Sequence, residues 1–157
     1  MQPLEPTALG QLYRLHAPAL RLFARQWAGH AEDLVQDAFV SLAQQSPPPE
    51  RVLPWLYRVV RNGARAGHRA ADRRRRREQR AGLSEAWFSP AEDRLDADEA
   101  RRQLATLDIA LREVIVARLW GGLTFEDIAA LVNCSLATAQ RRYEAGLAEL
   151  RTRLEGR

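Results

Sequence analysis

The sequence predicts an all-α protein, built as two small helical domains joined by a flexible linker. Apolar residues recur at three-and-four spacing along most of the 157 residues, while the strict alternation of a half-buried strand is nearly absent. Between 82 and 98, GLSEAWFSPAEDRLDAD keeps no period, holds one proline and carries an excess of acid, which is the composition of a linker. An apolar content of 46% beside 28% charged residues is ordinary for a folded chain, so each flanking segment should bury a core. The expected divisions are 1–81, 82–98 and 99–157.

Leu9, Leu12, Leu15, Ala19, Leu22 and Phe23 mark the first helix. Pro18 interrupts their stripe, which predicts either a kink or a helix that restarts with proline in its first turn. Val35, Ala38, Phe39 and Leu42 form the buried side of a helix from about 31 to 45, with Glu32 and Asp33 where carboxylates suit the helix dipole. The successive prolines of SPPPE (46–50) require a loop. A longer helix should begin near Leu53, run through Trp55, Leu56, Val59 and Val60, and continue exposed through an arginine-rich stretch towards Gly82. Small residues at Gly63, Ala64, Ala66 and Gly67 would leave its backbone accessible. After the linker, helices are expected at about 98–107 and 109–120. The second carries Leu111, Val114, Ile115, Arg118 and Leu119 and is closed by Gly121 and Gly122.

Residues Thr124 to Glu144, TFEDIAALVNCSLATAQRRYE, read as two short helices about a tight turn. Thr124 and Asp127 make a capping-box-like start, and Ile128, Leu131 and Val132 supply a buried side. Asn133 stands where the chain reverses and tolerates a left-handed backbone; Ser135 is the expected N-cap of the next helix. On that helix Leu136, Ala139, Tyr143, Leu147 and Leu150 should face the core. Ala137, Thr138, Arg141, Glu144 and Ala145 then point outward, with Gln140 and Arg142 on the flanks. Small residues beside Arg and Gln suit entry into a major groove, with Arg141 placed for a guanine and Arg142 for a phosphate. An ordinary helical hairpin with a solvated face would show much of the same pattern. Two arginines and a facing glutamate would bind DNA weakly, because affinity scales with the phosphates neutralised.

Charge is distributed unevenly. All 24 basic residues are Arg, a bias that guanidinium recognition of phosphate would favour and that a GC-rich genome would produce equally well. Residues 31–50 hold four acids and no base, whereas 51–80 hold eleven Arg against two acids. The run Arg73–Arg77 alone could be a solvated tail, but here it extends an anchored helix and so suits an ordered phosphate track. Trp55 and Tyr57 could stack on unpaired bases, although the core is the better place for Trp55. The outward side of the 31–45 helix shows Asp33, Gln36, Asp37, Val40 and Gln44, a base-free face that suits a basic protein surface and repels DNA.

AEDLVQDAF (31–39), PWLYRVVRN (54–62) with its basic extension, and LREVIVARLWGGLTFEDIAALVNCSLATAQRRY (111–143) occur in that order. Together they resemble the bacterial RNA polymerase sigma factors of the sigma-70 family. The narrower resemblance is to the small extracytoplasmic-function (ECF) group, which has only sigma regions 2 and 4. It covers about 9–80 and 99–154. The resemblance implies that Asp33, Gln36, Asp37 and Val40 bind the clamp coiled coil of core RNA polymerase. It implies that the 46–54 loop with Asn62 captures a base flipped from the −10 element. It further implies that Arg51, Arg58, Arg61, Arg65, Arg69, Arg73 and Arg74 hold that region of promoter DNA. Ser135, Ala137, Thr138, Gln140, Arg141, Arg142 and Glu144 would lie at the −35 element. Fully extended at about 3.3 Å per residue, the linker would reach ~55 Å, more than one duplex turn of ~34–36 Å.

The expected function is therefore a transcription initiation factor that binds core polymerase, recognises promoters and melts DNA, with an anti-sigma protein as a further partner. The alternative is a stand-alone helix-turn-helix regulator, which would leave the acidic face unexplained. The chain departs from the family pattern at the SPPPERVLP capture loop, at Asn133 in place of a turn glycine, and at Glu144, Ala145, Leu147 and Glu149 where further basic residues are common. No His, Cys or carboxylate cluster has metal-ligand or triad spacing, so neither catalysis nor a cofactor is expected. Cys134 is alone, and no apolar run approaches the ~20 residues of a membrane span, which predicts a cytoplasmic protein without membrane insertion.

Overall fold

The structure, a computed structural model, describes residues 2–27, 29–78 and 95–156, and among these every regular element is helical. Three helices form an N-terminal bundle: α1 (Pro6–Ala24), α2 (Ala31–Ala43) and α3 (Val52–Glu78). A C-terminal bundle follows with α4 (Leu95–Ala105), α5 (Ile109–Ile115), α6 (Phe125–Val132) and α7 (Leu136–Glu155). Most of the expected linker, residues 82–94, and the side chains of Arg75, Arg76 and Arg77 lie outside the described residues. The last four linker positions instead open α4, because an acidic stretch read as linker equally suits a first helical turn.

In the N-terminal bundle, Pro6 enters α1 at a position where no backbone donor is needed. The helix runs on through Pro18 rather than restarting; Pro18 and Arg14 are both exposed, so the carbonyl deprived of its partner lies on the wet side. Leu20 and Phe23 of α1, Val35, Ala38 and Leu42 of α2, and Leu56, Tyr57 and Val60 of α3 fill the centre. Phe23 meets Tyr57 edge-on with ring centres 5.0 Å apart. Gly63 and Ala64 serve this packing rather than access: a Cβ on Gly63 would stand 2.9 Å from Leu34, and Ala64 is fully buried.

α5 does not continue as an α-helix to residue 120. Its last turn, Val116–Trp120, is π-helical, with the Gly121 amide donating to the Val116 carbonyl at 3.0 Å. The wider turn advances the register, so Val116 and Ala117 enter the core while Leu119 and Trp120, 52% and 44% exposed, turn outward. Leu136, expected to face the core, stands exposed in the first turn of α7, where Ala139 and Gly146 take the contact with the bundle.

The turn between α6 and α7 follows expectation. Asn133 adopts the left-handed conformation (φ 55°, ψ 55°), and the Ser135 hydroxyl accepts from the Thr138 amide at 3.1 Å. Phe125 packs edge-on against Tyr143 at 5.3 Å and fixes α6 across α7. Because a β-branched residue resists the left-handed backbone, Asn133→Val should lower unfolding stability by about 1–2 kcal/mol in urea titration, whereas Asn133→Gly should hold it.

Candidate docking and nucleic-acid interfaces

On α2, Asp33, Gln36, Asp37, Val40 and Gln44 are all exposed, and their spacing places them along one side. Val40 is 57% exposed although apolar, at the centre of a face without a base. The expected docking residues are thus brought together.

α3 divides its arginines between two faces. Arg58, Asn62, Arg65, Arg69 and Arg73 are exposed at intervals of three and four and form one row, with Arg74 exposed beside it. At 1.5 Å per residue the row runs about 22 Å, matching about six phosphates of one DNA strand. Trp55 is half-buried, and Tyr57 is wholly buried, so Tyr57 cannot stack on a base in this arrangement.

Arg51 and Arg61 instead meet the C-terminal bundle. Arg51, just before α3, makes a two-pronged pair with the buried carboxylate of Asp127: one nitrogen, Nη2, lies 2.8 Å from Oδ2, and Nη1 contacts Oδ1. That pairing raises the Arg51 pKa. It also leaves the capping box at α6 half made, since Thr124 accepts from the Asp127 amide at 3.1 Å while the Asp127 carboxylate is committed to Arg51. Arg61, largely buried, donates from Nε to Glu113 at 2.8 Å and from Nη1 to the Leu131 carbonyl at 3.2 Å, with its guanidinium 5.9 Å from the Trp27 ring centre. Glu113 is 5% exposed.

Between these pairs, Tyr57 lies under Gly121, where a Cβ would come within 2.5 Å of the phenolic oxygen. The hydroxyl is buried without a described hydrogen-bond partner, and burial pushes its pKa well above the ordinary tyrosine value. A raised folded-state pKa means this contribution to stability is complete below about pH 10 and lost as the pH climbs further. The buried apolar side chains of both bundles form one continuous core across this joint. Neither Glu113 nor Asp127 was singled out in sequence as a partner for α3.

On α7, Ala137, Gln140, Arg141 and Glu144 are exposed, and Thr138 and Arg142 are partly so. Arg141 Nη2 donates to Thr138 Oγ1 at 3.0 Å, and the Ser135 hydroxyl lies 2.9 Å from the same oxygen, so the guanidinium is tethered over the N-terminal turn. No helix among the described residues is long and apolar enough to cross a membrane.

Residues 12–78 match the family "Sigma-70 region 2" and residues 97–150 match "Sigma-70, region 4". The chain is 32% identical over 143 residues to the ECF RNA polymerase sigma factor EcfG of Rhodopseudomonas palustris, covering 85% of this chain and 77% of that one. It is 31% identical over 156 residues to the RNA polymerase sigma factor CarQ of Myxococcus xanthus, covering 92% and 87%. Among solved structures, the sigma factor RpoE from Bartonella quintana, crystallised with the anti-sigma factor NepR, superposes with a TM-score of 0.77 at 27% identity, over 95% of this chain and 98% of that one. Two region matches in order, relatives along nearly the whole length and a shared two-bundle architecture displace the stand-alone regulator: the chain belongs to the RNA polymerase sigma factors of the ECF group.

Proposed function

We propose that this sigma factor carries core polymerase to promoters by dividing recognition among three faces and melts the −10 element once it is bound. The observation that carries this reading is the segregation of charge: the α2 face holds acid and amide without a base, and among the described side chains of the α3 row every charged one is arginine. The first face suits the clamp coiled coil, where Val40 supplies an apolar anchor within complementary electrostatics. The α3 row suits the backbone of the displaced −10 strand, with Asn62 among the arginines and the 46–54 loop beside its start as the capture site for a base.

α7 takes the −35 element. Ala137 leaves room for close approach, Arg141 reads a base edge and Arg142 a phosphate. Ser135, Thr138, Gln140 and Glu144 complete that surface. Two arginines give little affinity of their own, so polymerase must supply the effective concentration that joins the −35 and −10 contacts. Because RpoE, so similar in shape, is in complex with an anti-sigma factor, we place such a factor among the partners of this chain as well.

Asp37→Arg should abolish co-migration with core polymerase while leaving the helical signal and melting temperature unchanged; normal co-migration would refute docking through α2. Replacing Arg58, Arg65, Arg69 and Arg73 with Gln should flatten the dependence of log K on log salt for promoter complexes by about 3 units. An unchanged slope would mean the row does not touch phosphate. Arg141→Ala should cost about 1–3 kcal/mol at one promoter position, read from a panel of single-base promoter variants. A loss equal across the panel would demote Arg141 to a phosphate contact.

A further inference from the structure

The arginine best placed to read a base on α7 does not swing freely. Arg141 is exposed, yet its Nη2 donates at 3.0 Å to Oγ1 of the half-buried Thr138, one turn nearer the start of the helix. Side chains of an α-helix lean over the preceding turn, and recognition helices meet base edges with their N-terminal residues. The bond therefore carries the guanidinium towards the end of α7 that would enter a groove. Glu144, exposed one turn the other way, is the competing anchor, and no ion pair joins it to Arg141 among the described residues.

Thr138 is itself held. Its amide donates to Ser135 Oγ at 3.1 Å, and Ser135 Oγ donates to Thr138 Oγ1 at 2.9 Å. A hydroxyl has two lone pairs and one proton. Both lone pairs of Thr138 Oγ1 are filled, by Ser135 and by Arg141, so only its proton remains to meet another molecule. A guanidinium accepts nothing, and Arg141 keeps all but one of its five N–H groups free of Thr138.

We propose that Thr138 is a positioning residue for base selection: it holds Arg141 in the groove-facing pose and forms with it a donor-only pair that selects guanine. This rests on the reading that α7 lies in the major groove at the −35 element. Guanine presents two acceptors there, O6 and N7, which the remaining N–H groups can meet as a fork. Cytosine presents an amino donor instead, and adenine sets one beside its N7. A threonine hydroxyl ordinarily suits either kind of edge; this one has no lone pair left to accept with. The tether also removes rotamer freedom that an exposed arginine would otherwise lose on binding. Without it, the guanidinium can turn to Glu144, which would draw it away from the bases.

Core polymerase loaded with the full-length chain is presented with promoters that carry each base in turn at every −35 position, and complex formation is measured. For the unaltered chain, one position should prefer guanine over cytosine by about tenfold or more. Thr138→Val keeps the side-chain shape and removes the hydroxyl. It should cut that preference by about threefold or more, with the loss concentrated at that position, and Thr138→Ser should restore it. In an Arg141→Ala background, Thr138→Val should change the preference no further, because the hydroxyl acts through the arginine. Thermal unfolding separates these effects from a weakened helix start, and Thr138→Ala replaces the valine variant should valine disturb the turn. A loss spread evenly over all positions, or one that persists in full without Arg141, overturns the proposal and makes Thr138 a plain backbone contact. If Arg141→Ala leaves every base preference intact, the reading of α7 in the groove fails, and the proposal with it.

Discussion

Arg61 is the residue whose requirements organise the joint between the two bundles. It leaves the α3 helix close to the Trp27 ring and must find anionic or carbonyl oxygen there, because an unpaired charge in that setting costs several kcal/mol. Glu113 and the Leu131 carbonyl provide it. To bring them into reach, α5 and α6 must lie against α3, and that placement sets Gly121 over Tyr57 and Asp127 beside Arg51. The π-helical turn at the end of α5 belongs to the same arrangement, since it turns Val116 and Ala117 into the core just before Gly121.

Much of this was legible in the sequence, and what was not has a physical explanation. Three-and-four spacing located the helices because each buries one stripe. Asn133 and Ser135 announced their turn because few residues accept the left-handed backbone or cap a helix. Pro18 left two readings open, of which the restart is excluded, because the cost of proline depends on whether the freed carbonyl can reach water, which spacing does not show. The end of the 109–120 helix was not readable because a 3.6-residue period fails across a π turn. Small residues at 63 and 64 look alike in sequence whether they expose a backbone or admit a neighbouring helix. The outward faces of α2 and α7 were readable for a simpler reason: residues on one helix share a face by arithmetic. Arg51–Asp127 and Arg61–Glu113 join positions 76 and 52 apart, and nothing local marks either partner.

On the proposed reading, the chain distributes weak contacts and leaves their summation to a larger partner. α7 carries too little positive charge to hold duplex DNA on its own. α3 carries more, but Arg61, like Arg51 just before the helix, is engaged within the molecule. α2 carries the opposite charge on an exposed face. On the proposed reading, promoter engagement is favoured within the polymerase complex, where docking through α2 would hold one bundle and a −35 contact would draw the other away from α3.

The distance between the bundles tests this account most directly. Dyes at Gln11→Cys and Thr152→Cys, in a Cys134→Ser background, would report it by single-molecule energy transfer in the free chain and after addition of core polymerase. High transfer in the free chain that falls to one low-transfer population on core polymerase is the expected result. Transfer that stays high in the polymerase complex would contradict it, because a closed chain cannot offer α3 and α7 to two separated promoter elements.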